Sequence, residues 1–310
     1  MAVSKGKVIK STGSWYDILG EDGQMYEGRL RGKLRMKGLK VTNPVAVGDE
    51  VLITEEEGEG NRVLIHDIAP RENYIIRKAT QKAHHGHILA ANIDQAVLVA
   101  TMTMPRTSQG FIDRFLVTAE TFRIPATIVF NKADLLDAQL KEDQDFLRWM
   151  YEGIGYTVLY TSAQEGDGID DFKAHLNGKV SLLSGHSGVG KSTLLNTIAP
   201  EVAQKIGEVS QSVKKGKHTT TFAEMFQIWE STFLIDTPGI KELGLMEVGD
   251  EELAHYFPEM RERMQDCRFH NCQHTHEPGC AIKAAVEDNE IDFRRYESYL
   301  SILHEDDNRR

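Results

Sequence analysis

Gly185-His186-Ser187-Gly188-Val189-Gly190-Lys191-Ser192 is the stretch on which the fold turns. It follows an apolar run, Val180 to Leu183, and precedes a segment carrying Leu194 and Leu195, so it reads as the bend between a buried strand and a helix. Glycines at 185, 188 and 190 let backbone N–H groups curl round a phosphate, and the helix start adds positive potential. Lys191 is spaced to reach β- and γ-phosphates, and Ser192, with Thr193 beside it, offers Mg²⁺ a hydroxyl. A glycine-rich turn with no ligand has no use for Lys and Ser in this register.

Outward from that loop, apolar strand-like runs alternate with helical stretches. Gln95 to Met102, Ala126 to Phe130, Thr157 to Tyr160, Val180 to Leu183 and Thr232 to Ile235 read as strands. Gly110 to Arg123, Gln139 to Glu152, Asp170 to Leu176 and Lys191 to Ala199 read as helices. Such alternation predicts an α/β domain with a mostly parallel sheet. Directly after the second strand stands Asn131-Lys132-Ala133-Asp134. A carboxylate at Asp134 accepts from both the N1–H and the exocyclic amine of guanine, a donor pair that adenine lacks. Lys132 can pack its stem on the ring, and Asn131 can bond another edge of the base. Thr161-Ser162-Ala163, again at a strand end, adds a backbone N–H suited to guanine O6.

Asp236-Thr237-Pro238-Gly239 follows the last strand; Asp236 is suited to hold Mg²⁺ through water and Gly239 to sense a γ-phosphate. Ahead of it a polar loop, 207–217, leads to His218-Thr219-Thr220-Thr221, where Thr220 is our choice for a second Mg²⁺ hydroxyl in a loop ordered by the γ-phosphate. The two base-reading motifs thus precede the phosphate loop, which is the reverse of their order in small GTPases. Cutting the ring between Asp-x-x-Gly and Asn-Lys-x-Asp keeps the site and moves the termini, so the second switch runs straight into the C-terminal region. Ile240 stands where small GTPases place a water-orienting Gln, which predicts slow intrinsic hydrolysis unless a group such as His218 is positioned by a partner.

From about Asp250 the chain turns helical and polar. Cys267, Cys272, His274 and Cys280 form a Cys₃His set suited to tetrahedral Zn²⁺, with His270 and His276 as rivals by spacing alone. A closed set of four protein ligands implies a structural ion that staples a small domain.

The first 70 residues read as five short strands: Val8 to Lys10, Trp15 to Leu19, Met25 to Lys37, Glu50 to Thr54 and Arg62 to Ile68. Five strands in that length fit a closed barrel of the OB type. In the third, Arg29, Arg31, Lys33, Arg35 and Lys37 alternate with other residues, which places five cations on one face and predicts a phosphate-backbone surface. Net charge is −11 over 310 residues, yet residues 1–40 carry nine Lys/Arg against four Asp/Glu, a basic module on an acidic body. Hydrophobic residues at 40% and charged residues at 27% are ordinary globular composition, with no apolar run long enough to span a bilayer. Three cysteines within 267–280 make no disulfide framework, and a cytoplasmic, monomeric, membrane-free protein is expected. Three modules follow: residues 1–70 as the barrel, 71–249 as a circularly permuted GTPase domain, and 250–310 as a helical zinc-binding domain.

The chain resembles the ribosome small-subunit-dependent GTPase family, RsgA/YjeQ, over nearly its full length. The resemblance rests on the barrel, Asn131 to Asp134 ahead of Gly185 to Thr193, the His218 to Thr221 loop, Asp236 to Gly239, and the zinc spacing with Glu277-Pro278-Gly279-Cys280. It implies an OB-fold, a permuted GTPase domain and a zinc domain, and it selects His274 as the zinc ligand. It further implies GTP hydrolysis to GDP and phosphate, stimulated by the small ribosomal subunit, in late maturation of that subunit, with contacts to its rRNA. A GTP-regulated adaptor whose barrel and zinc domain bind protein is the alternative. A metabolic enzyme using GTP as phosphoryl donor is disfavoured, since no second catalytic constellation is visible.

Overall fold

The computed structural model describes residues 4–32, 43–56, 60–78, 86–204, 223–236 and 248–304. The chain forms two compact units, Met1–Gln95 with Lys173–Leu183 and Leu195–Lys241, and Ala96–Phe172 with Ser184–Leu194 and Glu242–Arg310.

In the first unit, β1 (Ser4–Ser11), β2 (Tyr16–Gly20) and β3 (Met25–Leu30) form an antiparallel meander; β5 (Arg62–Ile68) pairs parallel to β3, and β4 (Glu50–Glu55) lies between β5 and β1. The β4–β1 pairing closes a five-stranded barrel of the OB type. Alternation drives it: β2 buries Tyr16, Ile18 and Gly20, and Val8, Val51, Ile53, Val63 and Ile65 complete the interior. Gly28 leaves room for Ile18, whose side-chain tip would have to shift to admit a Cβ there. β3 ends at Leu30, seven residues short of the expected Lys37, because Gly32 takes φ +78° and breaks the extended backbone.

The same unit holds a hairpin that periodicity did not suggest, β6 (Tyr74–Lys78) with β7 (Gly86–Ala91). Buried Asp49 receives two bonds from Arg71, each 2.6 Å, and Asn43 bonds both the N–H and the carbonyl of Ile88, so the barrel's 43–49 loop is fastened to the chain that follows it. β11 (Val180–Ser184) runs parallel to β13 (Thr232–Asp236), and β12 (Glu224–Trp229), likewise unforeseen, pairs antiparallel to β13 and touches β1 at Lys10, whose ammonium meets Glu224 at 3.0 Å.

In the second unit, β8 (Gln95–Ala100), β9 (Ala126–Phe130) and β10 (Thr157–Tyr160) are parallel neighbours, as the apolar runs predict. α1 (Gln109–Thr121) and α2 (Ala138–Ile154) connect them, with Ser108 and Asp137 capping their starts. α3 (Ile169–Leu176) and α4 (Lys191–Ile198) follow in the chain. The C-terminal segment folds as short helices, Pro258–Arg261, Ala281–Glu287 and Phe293–Leu303, round Phe257, Met260, Ile282, Tyr296 and Tyr299, with Val117 of α1 in the same core.

Candidate functional site

Three strand-end loops of the second unit meet through one side chain. Asn131, 2% exposed, donates from Nδ2 to the Val189 carbonyl of the phosphate loop at 2.9 Å. Its Oδ1 accepts from the Thr161 hydroxyl at 3.0 Å and from the Ala163 N–H at 3.2 Å. Asn131 therefore ties the base-reading loops to the phosphate loop, with one amide hydrogen left for a ligand. Neither this nor the part of Thr161 follows from spacing. Gly190, at φ +96°, makes the close approach possible, since a Cβ would strike Asn131 Nδ2; at Gly185, φ +139°, one would strike the Val99 carbonyl.

Asp134 stands exposed beyond this knot, one oxygen accepting from the Ser162 hydroxyl at 2.6 Å. Among the described residues that bond leaves the other oxygen free to face a base, and it explains a buried serine ahead of Ala163. Ala133 N–H bonds the Thr161 carbonyl, fixing the two loops in register. Lys132 adopts φ +65°, and its ammonium donates to the Met104 carbonyl at 2.8 Å, which holds the stem extended. In the phosphate loop Lys191 Nζ donates to the carbonyls of Gly185 and His186 at 2.5 and 2.7 Å. His186 packs on Phe111 with ring centroids 3.8 Å apart; burial, then the Lys191 charge, push its imidazole pKa down. Ser187, Gly188 and Val189 complete the turn, and Ser192 and Thr193 lie exposed on the first turn of α4. Asp236 closes β13; its side chain, together with His218, Thr220, Gly239 and Ile240, lies outside the described residues.

The cysteine cluster is assembled as its spacing suggests. Donor atoms of Cys267, Cys272, His274 and Cys280 all lie within 4.8 Å of one another, with His274 Nδ1 3.6 Å from Cys267 Sγ and 3.4 Å from Cys280 Sγ. Three sulfurs and one imidazole at this separation fit one tetrahedral Zn²⁺. His270 and His276 are exposed and stand outside the set. Burial, and the crowding of thiols on one another, push Cys272 up to about 12 and Cys280 upward, a cost that a bound cation reverses. Outer contacts fix the ligands: Ala281 and Lys283 N–H groups point at Cys267 and Cys280 sulfurs, and the Tyr296 and Tyr299 hydroxyls donate to the His274 and Gln273 carbonyls at 2.6 and 2.8 Å. Burial pushes the Glu277 carboxyl pKa up, but backbone N–H groups around it outweigh that and hold it down at about 2.

A second buried polar cluster gave no sequence signal. Arg295, fully buried, donates to Asp113 of α1 at 2.7 Å and to Glu259 at 2.7 and 3.2 Å, while Tyr151 and Ser298 hydroxyls also donate to Asp113. It locks the C-terminal helices onto α1 and α2.

Arg29 and Arg31 are exposed on the outer face of the barrel, Arg29 paired with Glu56 and lying over Trp15, and Arg31 3.3 Å from His66. Lys33, Arg35 and Lys37 lie outside the described residues. The uninterrupted five-cation strand is corrected by the end of β3 at Leu30.

A strand-to-helix phosphate loop joined to an Asn-Lys-x-Asp loop that precedes it in the chain defines a circularly permuted P-loop GTPase. Residues 68–246 match the family model for the RsgA GTPase, and residues 5–61 match that for the RsgA N-terminal domain. A Cytophaga hutchinsonii protein named small ribosomal subunit biogenesis GTPase RsgA is 52% identical over 306 residues, covering 99% of this chain and 100% of its own. The Christiangramia forsetii protein of the same name is 49% identical, covering 99% and 98%. Among solved structures, YjeQ from Thermotoga maritima is similar with TM-score 0.81 and 35% identity over 100% of both chains. YloQ, described as a circularly permuted GTPase, gives 0.77 and 32% over 100% of this chain and 96% of its own. This chain belongs to the RsgA GTPase family.

Proposed function

We propose that this chain binds the small ribosomal subunit in its GTP form, acts late in the maturation of that subunit, and leaves after subunit-stimulated hydrolysis to GDP and phosphate. The observation that carries this is the end-to-end correspondence with relatives bearing that name, barrel included, at 52% identity. In this reading Asp134 selects guanine, Asn131, Lys132, Ala133, Ser162 and Ala163 shape the base pocket, and Gly185 to Thr193 hold the phosphates. Ser192, Thr220 and Asp236 hold Mg²⁺, which supplies charge neutralisation on the β- and γ-phosphates. His218 orients or deprotonates the attacking water in place of the missing Gln; His218→Ala then keeps subunit binding and loses the stimulated rate, and an unchanged maximal rate refutes the role. Cys267, Cys272, His274 and Cys280 hold a structural Zn²⁺.

Residues 1–70, 71–249 and 250–310 act as barrel, GTPase and zinc modules, a division supported by the limits of the two family models. The barrel's basic run, Arg29 and Arg31 followed in sequence by Lys33, Arg35 and Lys37, contacts rRNA phosphates. The protein works as a cytoplasmic monomer; no helix among the described residues is long and apolar enough to cross a membrane. Co-sedimentation with purified small subunits, in a non-hydrolysable GTP analogue and in GDP, is the test. Retention with the analogue and release with GDP are expected. Equal behaviour in both nucleotides, or retention by unrelated proteins instead of subunits, overturns the proposal in favour of an adaptor.

A further inference from the structure

The outer face of α2 carries large apolar groups that the described residues leave exposed. Trp149 is 69% exposed and Phe146 36%, and their ring centroids lie 5.7 Å apart. From the C-terminal helix, Arg294 lays its guanidinium 3.9 Å from the centre of the Phe146 ring, and the neighbouring Phe293 is 59% exposed. Phe146 and Trp149 are three residues apart on one helix, so their exposure is a continuous stripe and not scattered single side chains. Exposed tryptophan beside phenylalanine and arginine is the composition of an interface centre.

Charge decides what fits there. Both arginines of the patch are already committed, Arg148 to Glu152 at 2.9 Å and Arg294 to Asp292 at 3.3 Å. Glu142, Asp143 and Glu297, on the same two helices, have no ion-pair partner among the described residues, against one uncommitted cation, Lys141. An acidic rim disfavours nucleic acid, whose binding depends on cations meeting phosphates. It disfavours a second copy as well, because a two-fold interface sets each patch, and so each acidic rim, against itself. A cationic polypeptide meets both the stripe and the rim.

We propose that the Phe146–Trp149–Arg294 face is a docking site for a basic, Lys/Arg-rich protein segment of the small ribosomal subunit, with Trp149 as its anchor. The proposal rests on subunit binding as put forward above. Full-length protein carrying a photo-crosslinking phenylalanine analogue at 149 is bound to purified small subunits with a GTP analogue, sedimented and irradiated. The expected product is a crosslink to a basic subunit protein, and in a parallel titration Trp149→Ala weakens subunit binding roughly 30-fold, the effect of removing one hot-spot side chain. Normal co-sedimentation with crosslinks to rRNA, to a second copy or to nothing, or unchanged affinity of Trp149→Ala, overturns the docking site and leaves subunit binding standing. Failure of the wild-type chain to sediment with subunits overturns both. Trp149 lies outside the nucleotide loops, so intrinsic GTP hydrolysis of Trp149→Ala should match wild type and certify its fold.

Discussion

The phosphate loop and the cysteine cluster belong to one compact unit and are both made of loop, yet they hold their shape by opposite means. Around the phosphate loop, glycines at 185 and 190 permit backbone approach, and Asn131 spends three hydrogen bonds joining neighbouring loops, so the protein itself satisfies the site. Round the cluster, three sulfurs and an imidazole are packed closely; burial and the neighbouring sulfurs push the Cys272 and Cys280 thiols up, and a bound cation resolves the conflict. A ligand of the first site is a visitor to a finished structure. A ligand of the second is part of the structure.

Metal removal tests this contrast most severely. Zinc ligation in small domains amounts to about 10–16 kcal/mol of folding free energy, more than a module of this size has in reserve. Cys272→Ser or chelation should therefore abolish ordered tertiary structure in 248–304, followed by near-ultraviolet dichroism, while GTP affinity stays largely intact. Metal analysis of the untreated protein should give about one zinc per chain. If GTP affinity collapses together with the metal, the two sites are not built independently.

At the nucleotide end the corresponding change is subtle in shape and large in effect. Ser162 donates to one oxygen of Asp134 at 2.6 Å, and Asn at 134 can still accept that bond while turning its NH₂ outward. The outward group then repels guanine's N1–H and amine and matches the 2-carbonyl of xanthine. Asp134→Asn should weaken GTP by up to roughly 10⁴-fold and favour xanthosine triphosphate in a competition titration. Wild-type binding of ATP alongside GTP would show that the carboxylate does not select the base.

Arg295 occupies the ground between the two regions, anchoring the helices of the metal module to Asp113 of α1 two positions beyond Phe111, which touches His186. Removing one member of a buried ion group strands the others. Arg295→Met should cost about 3–5 kcal/mol in denaturant unfolding, because Asp113 and Glu259 are left facing each other without a cation. Adding Asp113→Asn should recover part of the loss; strict additivity of the two changes would mean that the contact is not coupled.

The sequence disclosed these regions unequally for a physical reason. Gly185 to Ser192, Asn131 to Asp134 and the Cys₃His set are local patterns whose chemistry is written at fixed spacing, and the structure assembles each where its flanking strands and turns require. The apolar runs give β9 and β10 to the residue. Arg295 and Asp113 stand 182 positions apart, and each alone looks like a surface charge. The β6–β7 hairpin carries no short turn signature, and the pattern of β12 is hard to separate from the long polar loop ahead of it. The basic run misleads in the other direction: its alternation in sequence goes on past Gly32, but the φ of +78° there, just beyond the end of β3, leaves no trace in a hydrophobic pattern.

The smallest effect probes how far the metal loop helps itself. Glu277 accepts N–H bonds from Gln273 and Thr275 at 2.9 Å and from His276 at 3.1 Å, folding the 273–277 turn round its carboxylate and aiming His274 inward at φ +59°. Here the protein pre-forms part of the site in the manner of the phosphate loop. Glu277→Gln keeps the shape but replaces charge-assisted bonds with neutral ones, a loss of about 1–3 kcal/mol in the zinc-loaded protein. The carboxyl's pKa falls from 4.5 to about 2 on folding, so its contribution is complete above about pH 4.5 and fades as pH drops toward 2. The stability gap between wild type and Glu277→Gln, measured by denaturant melts, should accordingly be constant from neutral pH to about 5 and narrow on further acidification. A gap that widens on acidification would mean that the carboxylate opposes the folded turn. A gap absent at neutral pH would mean that zinc alone shapes it.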